Sequence, residues 1–285
     1  MKLGVVMEGG ASRTVFSCGV TDCFLEEGIM PDYFVGVSAG IAYGVSYLSG
    51  QIGRNREIFE KYMPDKRYMG LKYLFDRHMK SYYNIPFVFG EVPNKLVPFD
   101  FDAFRVYQGE AEAVVTNIRT GKAEYLPVDR NDTDFKTIVA SCALPVLFQP
   151  VRIGKRYYLD GGVADSVPYR HALEKGCDKL IVILTRERNY IKTTERSIKM
   201  AAKLYKHYPN LVESLENRAA SYNQCMKELY QAEKEGKVFI IAPKSTLRVG
   251  RTESSPKKLL ELYDEGYYQA KESMHALDLY LNDYK

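Results

Sequence analysis

Tyr33-Phe-Val-Gly-Val-Ser-Ala-Gly-Ile-Ala-Tyr43 is the stretch that decides the fold. Its first half, Tyr33 to Val37, is short, apolar and rich in β-branched and aromatic residues, as a buried strand requires. From Ala39 to Ser49 small residues dominate, which predicts a helix able to pack closely on a sheet. Between the two lies Gly36-Val37-Ser38-Ala39-Gly40, a GxSxG turn from strand to helix. Such a turn forces its serine into a strained, exposed conformation and aims the helix N-terminus at the serine oxygen. The pattern is short enough to arise by chance, so the flanking strand and helix are what make Ser38 the candidate nucleophile.

Working outward, Leu3 to Met7 is a second apolar strand that runs into a Gly-rich turn and a helical pattern from about Arg13 to Glu27. The chain therefore opens β-α-β-α. An amphipathic helix near Arg54 to Tyr62 gives way to a stretch dense in Tyr, Phe, Met and Pro from Arg67 to Phe101. That stretch is too apolar for a free linker and too irregular for a sheet. It reads as a cap over one end of the core, lining an acyl pocket or simply packing. Strands resume at Ala111 to Asn117 and Lys122 to Pro127, then at Gln149 to Ile153 and Arg156 to Leu159 around the hairpin signal Gly154-Lys155. Helices are expected near Asp134 to Cys142 and Pro168 to Lys175, a strand at Lys179 to Leu184, and two helices between about Thr193 and Lys234. Val238 to Ala242 is the last expected strand and Lys257 to Leu281 the last helix. Alternation of this kind argues for an α/β sheet covered on both faces.

The 285 residues are 46% hydrophobic and 27% charged, ordinary values for a folded chain that buries a sizeable core. A net charge of +4 is far from the concentrated basic footprint of a nucleic-acid binder, so no nucleic-acid partner is expected. Five cysteines, Cys18, Cys23, Cys142, Cys177 and Cys225, are scattered and never spaced as CxxC, which predicts neither a disulfide framework nor a zinc site. The apolar run after Lys2 breaks at Glu8-Gly9-Gly10, too early for a signal peptide, and no segment has the length of a membrane span. These features predict a cytoplasmic protein.

A serine hydroxyl needs a neighbouring base. In an α/β-hydrolase arrangement that base is a histidine near the end of the last strand. This chain has only His78, His171, His207 and His275, in the cap or on helical stretches, and none fits. Asp160 is the better base: it ends a strand, begins the turn Asp160-Gly161-Gly162, and desolvation would raise its basicity. The tetrahedral intermediate also needs N–H donors, and Glu8-Gly9-Gly10-Ala11-Ser12-Arg13, directly after the first strand, presents several backbone amides at one spot. It matches neither GxxxxGK[ST] nor GxGxxG, so it is not a phosphate loop of those types.

In that order the three pieces resemble the patatin-like phospholipase family, acyl hydrolases whose pattern is a GGGxRG loop, a GxSxG turn and a DGG or DGA turn. Here they read Gly9-Gly10-Ala11-Ser12-Arg13-Thr14, Gly36-Val37-Ser38-Ala39-Gly40 and Asp160-Gly161-Gly162, with Ala140-Ser-Cys-Ala-Leu-Pro145 also similar. The resemblance spans about residues 3 to 185. It implies a three-layer α/β/α fold with a central, mainly parallel sheet, and a single domain over 1–285 with a C-terminal helical extension from about 190. It further implies a Ser38–Asp160 dyad, oxyanion donors on Gly9, Gly10 and Ala11, Arg13 holding that loop, and a lipid or fatty-acyl ester substrate. No metal or organic cofactor is needed by such a dyad. Ala11 and Thr14 depart from the family pattern, and a positive φ at position 11 would carry a steric cost.

Three rivals follow from the same residues. A non-catalytic lipid-binding or scaffold protein on this fold is one, and a Ser-His esterase using His171 is another. Cys142 as a thiol nucleophile is the third, and it has no histidine spaced to pair with it. Finally, Arg196, Lys199, Lys203 and Lys206 fall on one helical stripe, which reads as a solvated face or as peripheral contact with a membrane surface.

Overall fold

Side chains alternate across the central strands, which explains why these segments are apolar throughout. Val5 and Met7 face one side of the sheet with Phe34, Ile181 and Ile183, while Val6 faces the other with Val35, Leu180 and Val182. Both faces are buried, so neither can be polar. The computed structural model describes residues 1–77, 79–194 and 196–282, the side chains of 196 and 197 apart. His78, expected in the cap, lies outside them.

The chain opens with β1 (Leu3–Met7), a short 3-10 turn over Ala11–Thr14, α1 (Val15–Glu26), β2 (Tyr33–Val37) and α2 (Ala39–Leu48). The cap follows as α3 (Arg54–Glu57), α4 (Leu71–Leu74) and α5 (Phe101–Val106), with π-helical turns over Ile58–Tyr62 and Pro86–Leu96. The helix expected to run to Tyr62 thus changes its winding after Glu57. Next come β3 (Glu110–Asn117), β4 (Ala123–Pro127), α6 (Lys136–Ser141), β5 (Val151–Ile153), β6 (Arg156–Asp160) and α7 (Tyr169–Glu174). Phe135 takes a left-handed conformation, φ 52°, and starts α6 two residues later than the sequence suggests. The remainder is β7 (Lys179–Ile183), α8 (Arg196–Leu204), α9 (Pro209–Lys234), β8 (Phe239–Ile241) and α10 (Pro256–Asn282).

Hydrogen bonds link the strands in the order β5-β6-β3-β2-β1-β7-β8, with β4 also on β3. From β3 to β8 the pairings are parallel, and those of β4, β5 and β6 are antiparallel. Helices α1, α2 and α10 cover one face together with the cap, and α7 and α9 cover the other. The fold is a three-layer α/β/α sandwich, and the C-terminal stretch adds strand β8 beside β7 rather than helices alone.

Helix α8 packs Ile198, Ala201 and Tyr205 inward and leaves Lys199, Met200, Lys203 and Leu204 exposed. Among the described residues no helix is long and apolar enough to cross a membrane.

Candidate active site

The register of β3 brings the two key side chains together. β2 runs parallel to β3 and ends with Val37 opposite Val114. β6 runs antiparallel and ends with Asp160 opposite Val115, the next residue. β4 pairs with Glu112 through Thr116 and so occupies the other edge against both. β2 and β6 therefore meet end to end along one edge of β3, with Ser38 just beyond the first and Asp160 closing the second.

Ser38 sits at φ 55° and ψ −126°, ahead of the first residue of α2. That conformation is strained for any residue but glycine, with a cost of roughly 1–3 kcal/mol, and it survives because its surroundings fix it. Gly40 allows one such contact: a Cβ there would lie 2.4 Å from the Met7 carbonyl oxygen. Ser141 supplies another, since its Oγ accepts the Ser38 N–H at 2.8 Å and donates to the Val114 carbonyl at 2.6 Å. Two residues on, the Ala143 carbonyl accepts the Asp160 N–H at 2.8 Å. One short stretch after β4, within the Ala140–Pro145 segment that resembles the family, thus anchors the backbone of both Ser38 and Asp160.

Asp160 is 2% exposed. Its Oδ1 accepts the Gly162 N–H at 2.8 Å, and its buried Oδ2 has no hydrogen-bond partner among the described residues. Burial pushes the carboxyl above its usual range, opposed by the Ser38 hydroxyl, the Arg218 cation and the Gly162 amide.

The glycine loop presses against this pair. A Cβ on Gly9 would come within 2.6 Å of the Val37 carbonyl oxygen and 2.9 Å of Ser38 Cβ, so only glycine fits. Ala11 takes φ 50°, the left-handed conformation that the sequence reading flagged as costly. One expectation is corrected: the Gly10 N–H is already engaged, donating to Thr14 Oγ1 at 3.0 Å. Thr14, standing where the family pattern has glycine, thus engages one of the three expected donors, while the amides of Gly9 and Ala11 are unbonded among the described residues. Arg13 serves the loop through its backbone N–H, bonded to the Gly10 carbonyl at 3.2 Å. Its side chain lines a polar cavity, and Nε has no hydrogen-bond partner among the described residues.

Ser38 and Ala11 stand at the junction of two cavities. One is apolar and runs under the cap between Tyr43, Tyr68, Tyr83, Phe89 and Phe99. The other is polar and holds Asp160 and Glu8. The aromatic cap segment accordingly lines a pocket as well as packing.

The rival base lies elsewhere, and burial acts against the rival nucleophile. His171 Nε2 is bonded to Glu112 Oε2 at 2.7 Å and its ring stacks on Tyr125 at 3.5 Å, and it lines neither cavity. His207 and His275 are exposed. Cys142 does line the apolar cavity beside Ser38, but burial and the Asp160 charge push its thiol far up, which disfavours the thiolate.

The sequence reading missed contributions from the last third of the chain. Tyr222 OH donates to Glu8 Oε1 at 2.9 Å, and Arg218 Nε donates to the Gly162 carbonyl at 2.6 Å. The Arg251 carbonyl accepts both the N–H and the hydroxyl of Ser12, at 3.2 Å and 2.9 Å.

Comparison with known proteins matches this division of the chain. A family model described as a domain of unknown function (DUF6363) covers residues 208–282. The protein YjjU of Escherichia coli (strain K12), described as uncharacterized, is 26% identical over 191 residues, which is 65% of this chain and 52% of that protein. The chain thus spans about half the length of that curated relative. The crystal structure of VipD from Legionella pneumophila aligns with a TM-score of 0.48 at 14% identity, over 96% of this chain and 67% of that one. The model of the patatin-like phospholipases matches residues 5–173, a span that contains the glycine loop, the Ser38 turn and the Asp160 turn. With more than half of its length inside that match, the chain belongs to the patatin-like phospholipase family.

Proposed function

We propose that the protein is a serine acyl hydrolase that cleaves carboxylic esters of lipids through a Ser38–Asp160 dyad. One observation carries the reading: a buried carboxylate with an unpartnered Oδ2 closes a strand end to end with the serine turn, beside an apolar cavity. In the first half-reaction Ser38 Oγ attacks the ester carbonyl carbon while Asp160 takes the hydroxyl proton. The negative oxygen that develops faces the Gly9 and Ala11 amides. Collapse breaks the bond to the alcohol, which leaves with the proton from Asp160. Water then attacks the acyl-serine, gives its proton to Asp160, and releases the acid and free Ser38 as that proton returns to Oγ. Every step uses groups of the chain and water. Residues 1–285 act as one unit in this reading, because the C-terminal segment is bonded to the loop and to the Asp160 turn.

A fluorophosphonate probe tests it. Wild type is expected to label and to hydrolyse acyl esters, and Ser38→Ala to do neither. A folded wild type that fails to label would favour a lipid-binding protein on the same fold, in keeping with the strained Ala11.

A further inference from the structure

Two exposed apolar ridges stand outside both cavities. One is on the cap excursion between Tyr68 and Tyr83, where Leu71 and Phe75 are 64% and 81% exposed. The other is on α8, where Met200 and Leu204 repeat the same spacing at 56% and 60%. Apolar side chains scattered singly on a surface need no account, but pairs set one helical turn apart make patches. Cations flank both pairs: Lys72, Arg77 and Lys80 in the first segment, and Lys199, Lys203 and Lys206 in the second, are all exposed. Residues 71–80 hold three cations and one acid, and residues 196–208 hold four cations and no acid, more positive charge than the +4 of the whole chain. The rest of the molecule is therefore net negative.

The two ridges rise from one base. The Tyr82 N–H donates to the Leu147 carbonyl at 2.8 Å, and Leu147 and Tyr83 pack against the cluster in which α8 sets Ile198, Ala201 and Tyr205 beside Phe148. Tyr68, Tyr83 and Phe148 in turn line the apolar cavity. We propose that Leu71, Phe75, Met200 and Leu204, with the cations that flank them, form a docking face for an anionic lipid surface. Ridges suit such a partner, because a fluid interface closes around protruding side chains whereas a folded protein must offer a matching hollow. The apolar tips enter the acyl region while the lysine and arginine heads stay at the level of the headgroups. Docking needs neither Ser38 nor Asp160, so the face goes beyond the acyl-hydrolase reading and does not rest on it.

Vesicle sedimentation tests it, with the full chain carrying Ser38→Ala so that the lipid stays intact. This protein is expected to bind vesicles of equimolar phosphatidylcholine and phosphatidylglycerol at least about tenfold more tightly than vesicles of phosphatidylcholine alone, and to lose that margin in high salt. Adding Phe75→Ser or Leu204→Ser is expected to weaken binding about tenfold, as loss of one inserted side chain would. Lys199→Gln, Lys203→Gln and Lys206→Gln together are expected to remove most of the preference for the anionic vesicle. All of these side chains line neither cavity, so in an otherwise wild-type chain the same substitutions should leave thermal unfolding and the turnover of a short, water-soluble ester unchanged. Equal binding to both vesicles would overturn the anionic assignment, and undiminished binding in the serine variants would overturn the face. A folded protein that ignores both vesicles and forms a dimer that Leu204→Ser dissolves would overturn the lipid partner in favour of a second copy of the chain.

Discussion

Val37 and Asp160 pair with consecutive residues, Val114 and Val115, of a single strand. Two segments more than a hundred residues apart in sequence are thereby aligned by backbone hydrogen bonds within one sheet, with the Ser141 side chain bracing the first. Pairing in a sheet fixes both spacing and facing, since a slip of one residue would turn the Asp160 side chain to the opposite face. Proximity of Ser38 and Asp160 is thus a property of the sheet itself.

Asp160→Asn is expected to abolish hydrolysis yet raise stability at neutral pH. Burial holds the Asp160 carboxyl above its ordinary value of 3.8, so between that value and the raised one the folded chain binds more protons than the unfolded chain. Stability from this group is present at low pH and falls as pH rises through that window. Urea titrations should show the variant ahead of wild type at pH 7, with the gap closing below the ordinary carboxylate value. The acid limb of wild-type kcat/KM should lie above that value as well, and a limb below it would contradict the role of Asp160 as base.

Ser141→Ala removes the acceptor of the Ser38 N–H and the donor to Val114. An expected loss of about 1–3 kcal/mol follows from leaving buried backbone groups unsatisfied. Turnover should fall with it while KM moves little, because Ser141 holds the turn and lines neither cavity. Unchanged kcat in the folded variant would show that the Ser38 conformation does not depend on this bond.

Much of this was legible because it is local. Ser38, its strand and its helix lie within the one segment from Tyr33 to Leu48, and the apolar runs state which strands are buried on both faces. Asp160 could be read from its turn, although its register against Val115 could not. The Gly10 amide was misjudged because its bond to Thr14 depends on the 3-10 winding over Ala11–Thr14, which glycine and small polar residues do not announce. Arg218, Tyr222 and Arg251 escaped altogether, and Ser141 was read only as part of a similar stretch, without its role. Their partners are far away in sequence, and a serine, a tyrosine or an arginine on a helix or loop carries no mark of a distant contact.

Ala11→Gly should stabilise the protein by up to about 1 kcal/mol, because a left-handed alanine is strained and glycine is not, offset in part by the freedom glycine gains on unfolding. Thermal unfolding checks this against Ala11→Val, where a β-branched residue at the same positive φ should be markedly destabilising.

Ala42→Phe places a ring in the apolar cavity on the face of α2. Long-chain esters should lose at least about tenfold in kcat/KM, and short-chain esters should be spared, since the lost volume lies beyond the carbonyl. A series of esters of graded acyl length reads the effect directly. Equal losses at every length would place the acyl chain elsewhere.

The ties from Tyr222 to Glu8 and from Arg251 to Ser12 bear on when the site comes into being during synthesis. A growing chain exposes its N-terminal residues first. Ser38 and Asp160 are both made before the groups that fasten the loop around them, so the nascent chain carries both residues without a finished site. Completion waits for Tyr222 and Arg251.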